Sequence, residues 1–307
     1  MIGIQKTFEA LGQFFFGGKM KEHKSNQELL EYIQSKGVKV KNRKKALEHF
    51  EKYTYYSIIN TYKDVFKKNG NYIKGVTYEE IFALYKFDKE LKIIFLKYAL
   101  EIETIIKSLL SNTISKKYGI EEYLEYNCFD SNVDKSLFDN LKTQINQEIS
   151  KNYKKHSAIT HYKDKYGFIP PYVIVKVITL GEVSRYYGIL KQEDRQKISR
   201  YFKLSDKLLK QILKNLTLAR NDSAHNDRLY TFHSKFFISY KNIDRFYKIE
   251  DDSTNLYMLI NCMGKLLNDK DFNKFVKQVN SEINKLSKKL KSISINDILN
   301  IMGFPKE

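Results

Sequence analysis

The sequence contains few of the residues that interrupt helices or form cross-links. It has three prolines and 13 glycines in 307 residues, and its two cysteines, Cys128 and Cys262, lie far apart. The scarcity of helix-breaking residues leaves long uninterrupted stretches and favours α-helices. Two distant cysteines exclude a disulfide framework and a cysteine-based metal site, and we expect both to be buried in a reducing compartment.

Long apolar runs are absent as well. The longest one near the N-terminus, residues 10–18 with the run Phe14-Phe15-Phe16, has about half the length that a membrane-spanning helix needs. No convincing signal-peptide cleavage site accompanies it. It is either a helix end that packs on the protein or a partner, or an interfacial anchor. We therefore expect no stable membrane insertion and a cytoplasmic protein.

Acidic residues are too few to balance the basic ones. The chain has 36 acidic and 54 basic residues, which gives a net charge of +18. Such an excess indicates a polyanionic partner, either nucleic acid or an anionic membrane surface, although a lysine-rich composition also fits an AT-rich genome. One basic run is either a solvated turn or a surface that binds RNA phosphates. It comprises Lys39, Lys41, Arg43, Lys44 and Lys45.

The hydrophobic pattern predicts an all-α fold in three segments. Residues 1–75 form an N-terminal extension and helical subdomain, residues 76–250 a helical domain, and residues 251–307 C-terminal helices. The middle segment begins with a capping box, Thr77 and Glu80, and contains a polar insertion around 119–169. The predicted helices span about residues 25–37, 42–66, 77–117, 170–180, 193–202, 208–219, 256–267 and 271–290.

The polar insertion combines tyrosines with lysines. Aromatic rings among basic side chains can stack on bases while the lysines hold the backbone. A solvated helical insertion with half-packed tyrosines is the alternative. The insertion also contains His156 and His161, which are five residues apart and off a shared helical face. Without a third ligand nearby, they predict no metal site.

The chemistry of the chain is concentrated at the end of one apolar helix. Arg220, Asn221 and His225 follow the run that starts at Leu208, and the whole chain has only seven arginines and six histidines. A fixed cation beside a ring that titrates near neutrality suits proton transfer around a phosphate. A helix end in which Arg220 extends to solvent and His225 caps the helix is the alternative.

Arg220 and His225 do not lie on one helical face. Positions five residues apart differ by about 140° on a straight α-helix, so either the helix ends or bends within the segment, or two subunits complete one site. On an earlier helix Glu103 and Lys107 are four residues apart. They form either an exposed pair or a polar pair that points into a site.

Three stretches resemble the Abi-like proteins, the AbiD and AbiF group of bacterial abortive-infection factors in the HEPN superfamily. The family's signature consists of an arginine, a polar residue that is commonly asparagine, several variable residues and a histidine. It is matched by Leu218-Ala219-Arg220-Asn221-Asp222-Ser223-Ala224-His225. The family's Leu-Tyr-x-Phe-Asp-x-Glu-Leu block is matched by Leu84-Tyr85-Lys86-Phe87-Asp88-Lys89-Glu90-Leu91. Its proline-led helix is matched by the stretch from Pro170 to Ser184, and the resemblance covers about residues 25–250.

The resemblance implies an all-α HEPN-type helical bundle with extra N-terminal and C-terminal helices. It implies a metal-independent ribonuclease without cofactors that acts in antiphage defence as a homodimer and is controlled by a small structured RNA. Arg220, Asn221 and His225 would be catalytic. Glu103, Lys107 and Arg228 would support them. The chain departs from the family at Asn226, where a second histidine is common, and an RNA-binding protein with weak or vestigial nuclease activity is the alternative.

Overall fold

Helices account for nearly all the secondary structure in the computed structural model, which describes residues 24–224, 227–236, 238 and 254–305. The predicted all-α fold is confirmed. Residues 1–23, which include the run Phe14-Phe15-Phe16, lie outside the described residues, as do His225 and Asn226. Cys128 and Cys262 are free and buried, as expected, and burial raises the pKa of both thiols.

Twelve α-helices run through the described part of the chain. They are α1 Asn26–Ser35, α2 Arg43–Tyr53, α3 Tyr78–Tyr118, α4 Lys135–Asn152, α5 Ser157–Tyr166, α6 Pro171–Ile174, α7 Leu180–Ile189, α8 Gln192–Ser199, α9 Asp206–Ala224, α10 Leu256–Leu266, α11 Asp269–Ser287 and α12 Ile295–Met302. Four two-residue strands accompany them: β1 Lys67–Lys68, β2 Asn71–Tyr72, β3 His233–Ser234 and β4 Thr254–Asn255.

Helix α3 is the central element and is 41 residues long. Its capping box is formed as predicted, with the Thr77 side chain bonded to the Glu80 amide and the Glu80 side chain to the Thr77 amide. The helix ends before Gly119, whose φ of 78° lies in the region that glycine tolerates. Helices α6, α8, α9 and α11 all pack against α3, so it buries side chains on several faces.

The single helix predicted over residues 42–66 is wrong. Helix α2 ends at Tyr53, and Thr54 has a φ of 60°. A π-helical turn at Tyr56–Asn60 and a 3₁₀ turn at Asp64–Phe66 follow. Strands β1 and β2 then pair antiparallel around Asn69 and Gly70, both with positive φ, because an Asn-Gly turn matches the twist of a hairpin.

The continuous helix predicted over residues 170–180 is also wrong. Helix α6 has only four residues, and a separate helix, α7, starts after Thr179. The Thr179 hydroxyl and the Glu182 carboxylate form a second capping box, which fixes Thr179 in an extended conformation. The apolar run therefore turns before α7 begins, and α7 packs against α9 and α4.

The C-terminal region contains the two predicted helices and one more. Helices α10 and α11 correspond to the predictions at 256–267 and 271–290, whereas α12, with its capping box at Ser294 and Asp297, was not predicted. Strands β3 and β4 pair antiparallel in the register His233 with Asn255. This pairing joins the segment that follows α9 to the start of α10.

Candidate active site at the end of helix α9

The candidate site lies where the end of α9 approaches the middle of α3. The inner face of α9 is buried through Leu213, Leu216 and Ala219. Arg220 follows directly and is half-buried, and Asn221 is exposed. The sequence therefore changes from apolar to polar at the point where α9 reaches the surface, and this change places the guanidinium at the edge of the core.

Glu103 and Lys107 of α3 lie beside Arg220. Lys107 Nζ is 2.7 Å from Glu103 Oε1, and Arg220 Nε is 4.0 Å from Glu103 Oε2. Glu103 is buried. The pair is thus not an exposed helix pair, because Glu103 is buried beside Arg220; that it belongs to a functional site stays a prediction.

Two atoms of this cluster have unused hydrogen-bonding capacity. Arg220 Nε and Glu103 Oε2 are buried, and neither has a hydrogen-bond partner among the residues that the structure describes. A buried polar atom left unpaired costs about 1–3 kcal/mol, so such atoms are rare in folded proteins. Lys107 and Arg220 share the single carboxylate of Glu103, so the three side chains together carry one excess positive charge that an anionic ligand can meet.

The position of His225 lies outside the described residues, but the chain on both sides of it is fixed. Before it, Ser223 Oγ donates to the carbonyl of Ala219 at 2.6 Å. After it, Lys92 Nζ donates to the carbonyl of Asp227 at 3.0 Å, and the amide of Tyr230 donates to Asp88 Oδ1 at 2.8 Å. Asp227 and Tyr230, which follow His225 in the chain, are thus bonded to α3.

Asp88 and Lys92 are residues that the sequence analysis did not place at the site. Asp88 is completely buried, and it also accepts a hydrogen bond from the Tyr62 hydroxyl at 2.7 Å and lies 3.3 Å from Lys92 Nζ. Burial raises the pKa of Asp88, although Lys92 and the hydrogen bonds from Tyr230 and Tyr62 oppose the increase. A charged residue within the apolar pattern of α3, four residues before a lysine, was the available signal.

The remaining sequence-predicted residues have other contacts. Arg228 donates to the carbonyl of Thr61 at 3.0 Å and lies 3.8 Å from Asp64, so its recorded contacts join the segment after α9 to the N-terminal subdomain and not to Glu103. A supporting role of Arg228 at the site stays a prediction.

In the basic run, the guanidinium of Arg43 is bound by Gln34 and Glu31 at 2.6 and 2.8 Å. The backbone of Lys39 pairs with Val76 and Tyr78. The side chains of Lys41, Lys44 and Lys45 belong to exposed residues. Arg43 thus holds α1 and α2 together, and RNA binding by this run stays a prediction.

The family model of the Abi-like proteins matches residues 48–231, which is more than half of the chain. This chain belongs to the Abi-like protein family. Membership indicates a role in abortive infection, a defence of bacteria against phage. The match to the Abi-like family includes Asp88, Glu103, Lys107, Arg220 and His225, whereas the basic run at 39–45 lies outside it. No curated protein and no solved structure matches the chain.

Two further properties of this Abi-like protein concern membranes and metals. None of the helices in the described residues is long and apolar enough to cross a membrane. Across residues 24–224, 227–236, 238 and 254–305, no group of three or more His, Cys, Asp and Glu side chains is arranged to hold a metal ion.

Proposed function

We propose that this Abi-like protein is an endoribonuclease of the HEPN type that cleaves RNA without a metal ion during abortive infection. The observation that carries the proposal is the placement of Arg220 beside buried Glu103, with an unpaired Nε, five residues before His225. The guanidinium is suited to bind a phosphate, and an imidazole is suited to transfer protons near neutral pH.

The proposed reaction is a transesterification within the RNA. The imidazole of His225 takes the proton of the 2′-hydroxyl, and the 2′-oxygen forms a bond to phosphorus while the bond to the 5′-oxygen breaks. Arg220 stabilises the charge on the phosphate oxygens, and the exposed amide of Asn221 hydrogen-bonds the same group. A protonated imidazole gives its proton to the leaving 5′-oxygen. The products are a 2′,3′-cyclic phosphate and a 5′-hydroxyl.

A symmetric dimer would supply the second imidazole. Asn226 stands where relatives often have a second histidine, so one chain offers His225 alone for both proton transfers. We propose that His225 of the partner subunit completes the site. The exposed side chains of Ile93 and Leu100, 53% and 50% accessible on α3, support this. Ile93, Leu100 and Lys107 follow one another at intervals of seven residues, so they lie on nearly the same face of α3. A second copy of the chain could cover the two apolar side chains.

The net charge of +18 supports RNA as substrate, because an excess of basic residues favours a polyanionic partner. Control by a small structured RNA is a further part of the proposal and comes from the resemblance to the Abi-like proteins. The protein should be purified from its host with the nucleic acid that accompanies it, and that RNA should be sequenced. A single discrete species supports a regulatory RNA. Random fragments would contradict this part of the proposal.

A second function is an RNA-binding protein with weak nuclease activity. The observation that favours it is the carboxylate of Glu103 4.0 Å from Arg220, because a fixed anion beside the guanidinium competes with a phosphate. The missing second histidine at Asn226 points in the same direction. The two functions differ in whether removal of the site changes RNA cleavage.

The test is cleavage of RNA by Arg220→Ala and His225→Ala variants. We expect each variant to cleave at least about 100-fold more slowly than the parent chain, the effect typical of losing a transition-state donor or a general base, and to lose growth inhibition. Arg200→Ala, an exposed arginine in a 3₁₀ turn, is the matched control and should behave like the parent. Undiminished cleavage by both site variants would leave the RNA-binding function.

A further inference from the structure

The surface of α5 and the start of α6 exposes aromatic rings. Tyr166 and Tyr172 are 49% and 42% accessible, and Tyr162 and Phe168 are half-buried beside them. Helix α5 is anchored through its one buried residue, Ile159, and packs against α4 and α6. Tyr162 packs against the core, whereas Tyr166 at the end of α5 and Tyr172 in α6 are exposed, and core packing gives no reason for these two rings.

The rings form one connected cluster. The ring centroids of Tyr162 are 5.5 Å from Tyr166 and 6.0 Å from Tyr172, and those of Tyr166 and Phe168 are 6.2 Å apart. The hydroxyls of Tyr162 and Tyr172 are 3.0 Å apart and hydrogen-bonded. We name Tyr162, Tyr166, Phe168 and Tyr172 the tyrosine surface. Its contacts hold the rings in place, so they present aromatic faces without a large further loss of rotamer freedom.

The surroundings of the tyrosine surface are strongly basic. Residues 151–176 contain six lysines and a single acidic residue, Asp164. The carboxylate of Asp164 accepts a hydrogen bond from Tyr153 at 2.8 Å. Lys163 Nζ is 4.4 Å from the ring centroid of Tyr153, and Lys165 Nζ is 5.2 Å from that of Tyr166. Positive charge and aromatic faces therefore occur on the same helix.

We propose that the tyrosine surface binds single-stranded RNA. Bases stack on Tyr166 and Tyr172, and Lys163 and Lys165 contact the phosphates, the combination by which proteins hold single strands. A duplex does not expose its base faces. A membrane surface is disfavoured because the two exposed rings are tyrosines, the one phenylalanine, Phe168, is half-buried, and the tyrosine surface has no leucine or tryptophan to insert into lipid. The inference rests on the proposed action on RNA and adds a place where the strand is held.

Binding should be measured with the full chain carrying Arg220→Ala and a fluorescent 2′-O-methyl oligoadenylate. This probe has no free 2′-hydroxyl, so the measurement does not depend on cleavage. Tyr166→Ala with Tyr172→Ala should weaken binding at least about 30-fold, given the usual contribution of one stacked base for each ring. Tyr166→Phe with Tyr172→Phe should retain the affinity, because stacking requires the ring and not the hydroxyl.

Two further comparisons separate stacking from charge and from general damage. Tyr56→Ala, at a tyrosine 71% accessible in the π-helical turn, should bind like its parent. Lys163→Gln with Lys165→Gln should make the slope of log affinity against log salt concentration less steep by about 1.4, because each phosphate contact to a single strand contributes about 0.7 to its magnitude.

Equal affinity of the double alanine variant and its parent would overturn the inference. So would a tyrosine-dependent preference for duplex RNA, or for phosphatidylserine vesicles over the oligoadenylate. These results leave the proposed nuclease untouched, since that depends on cleavage by Arg220→Ala and His225→Ala. Conversely, unchanged cleavage in those two variants would remove the nuclease but not the binding result.

Discussion

At the scale of single residues, Asp88 holds Tyr230 and, through Lys92, Asp227, which follow α9 in the chain. One carboxylate binds the amide of Tyr230, the hydroxyl of Tyr62 and the ammonium of Lys92, which in turn binds the carbonyl of Asp227. Asp88 and Tyr230 are separated by 142 positions in the chain. The sequence could indicate that Arg220 and His225 belong together, but it contains no local signal for a partner so distant.

Asp88→Ala should destabilise the protein strongly. It leaves the Lys92 charge, the Tyr62 hydroxyl and the Tyr230 amide unpaired in the core, and breaking a buried ion pair from one side costs about 3–5 kcal/mol. Chemical denaturation measures the free energy of unfolding. The matched control is Glu90→Ala, which removes an exposed i, i+4 partner of Lys86 on the same helix and should cost less than about 0.5 kcal/mol. Similar costs for the two variants would contradict the role assigned to Asp88.

At the scale of elements, the sequence predicted helices best where it contains explicit start and stop signals. The helix predicted over residues 77–117 agrees with α3 to within a residue or two, because Thr77 and Glu80 mark its start and its apolar pattern stops near Lys117. The prediction of one helix up to Phe66 is wrong because the chain breaks at Thr54, which has a positive φ. A threonine in the sequence gives no indication of such a conformation. The break at Thr179 had a readable signal, the spacing to Glu182, but a run of β-branched residues concealed it.

Glu80 connects the start of α3 to the C-terminal helices. Its Oε2 completes the capping box, and its Oε1 accepts hydrogen bonds from the amides of Lys291 and Ser292 at 2.7 and 2.6 Å and from the Ser292 hydroxyl at 2.8 Å. Burial opposes ionisation of Glu80, but the hydrogen bonds from Ser292 and Lys291 outweigh it and lower the pKa below the ordinary 4.5. The loop between α11 and α12 is thus fixed by one ionised side chain.

This arrangement predicts a pH-dependent effect of Glu80→Gln. Because the pKa of Glu80 is lower in the folded chain than in the unfolded chain, its stabilisation is present above pH 4.5 and is lost as the pH falls through the folded pKa. The variant should lose roughly 1.5–3 kcal/mol near neutral pH, the range for hydrogen bonds to charged groups. Unfolding curves at several pH values measure the difference.

The difference between Glu80→Gln and the parent should shrink as the pH falls below 4.5. Glu28→Gln is the control, because Glu28 closes the same kind of capping box at the exposed start of α1, and we expect a smaller loss there. A Glu80→Gln effect that stays constant from neutral to acidic pH would contradict the assigned role of the carboxylate.

At the scale of the whole molecule, the proposed composite site requires two copies of the chain. Ile93→Asp with Leu100→Asp should convert a dimer to monomers and abolish cleavage while the helical circular dichroism spectrum is retained, because the exposed face of α3 acquires charges that oppose each other across a symmetric interface. Sedimentation velocity measures the assembly. Leu137→Asp, at an equally exposed leucine of α4, 55% accessible, should leave assembly and activity unchanged. Activity in the monomeric double variant would contradict a composite site.

The chemical identity of the RNA ends tests whether the 2′-hydroxyl attacks the phosphate. RNA should be incubated with the purified chain in excess EDTA, and the fragments analysed by mass spectrometry. If the 2′-hydroxyl attacks at a site formed by Arg220 and His225, the fragments should carry 2′,3′-cyclic phosphate and 5′-hydroxyl ends. The Arg220→Ala variant should produce no such fragments. Fragments with 5′-phosphate ends, or cleavage that stops in EDTA, would contradict this mechanism.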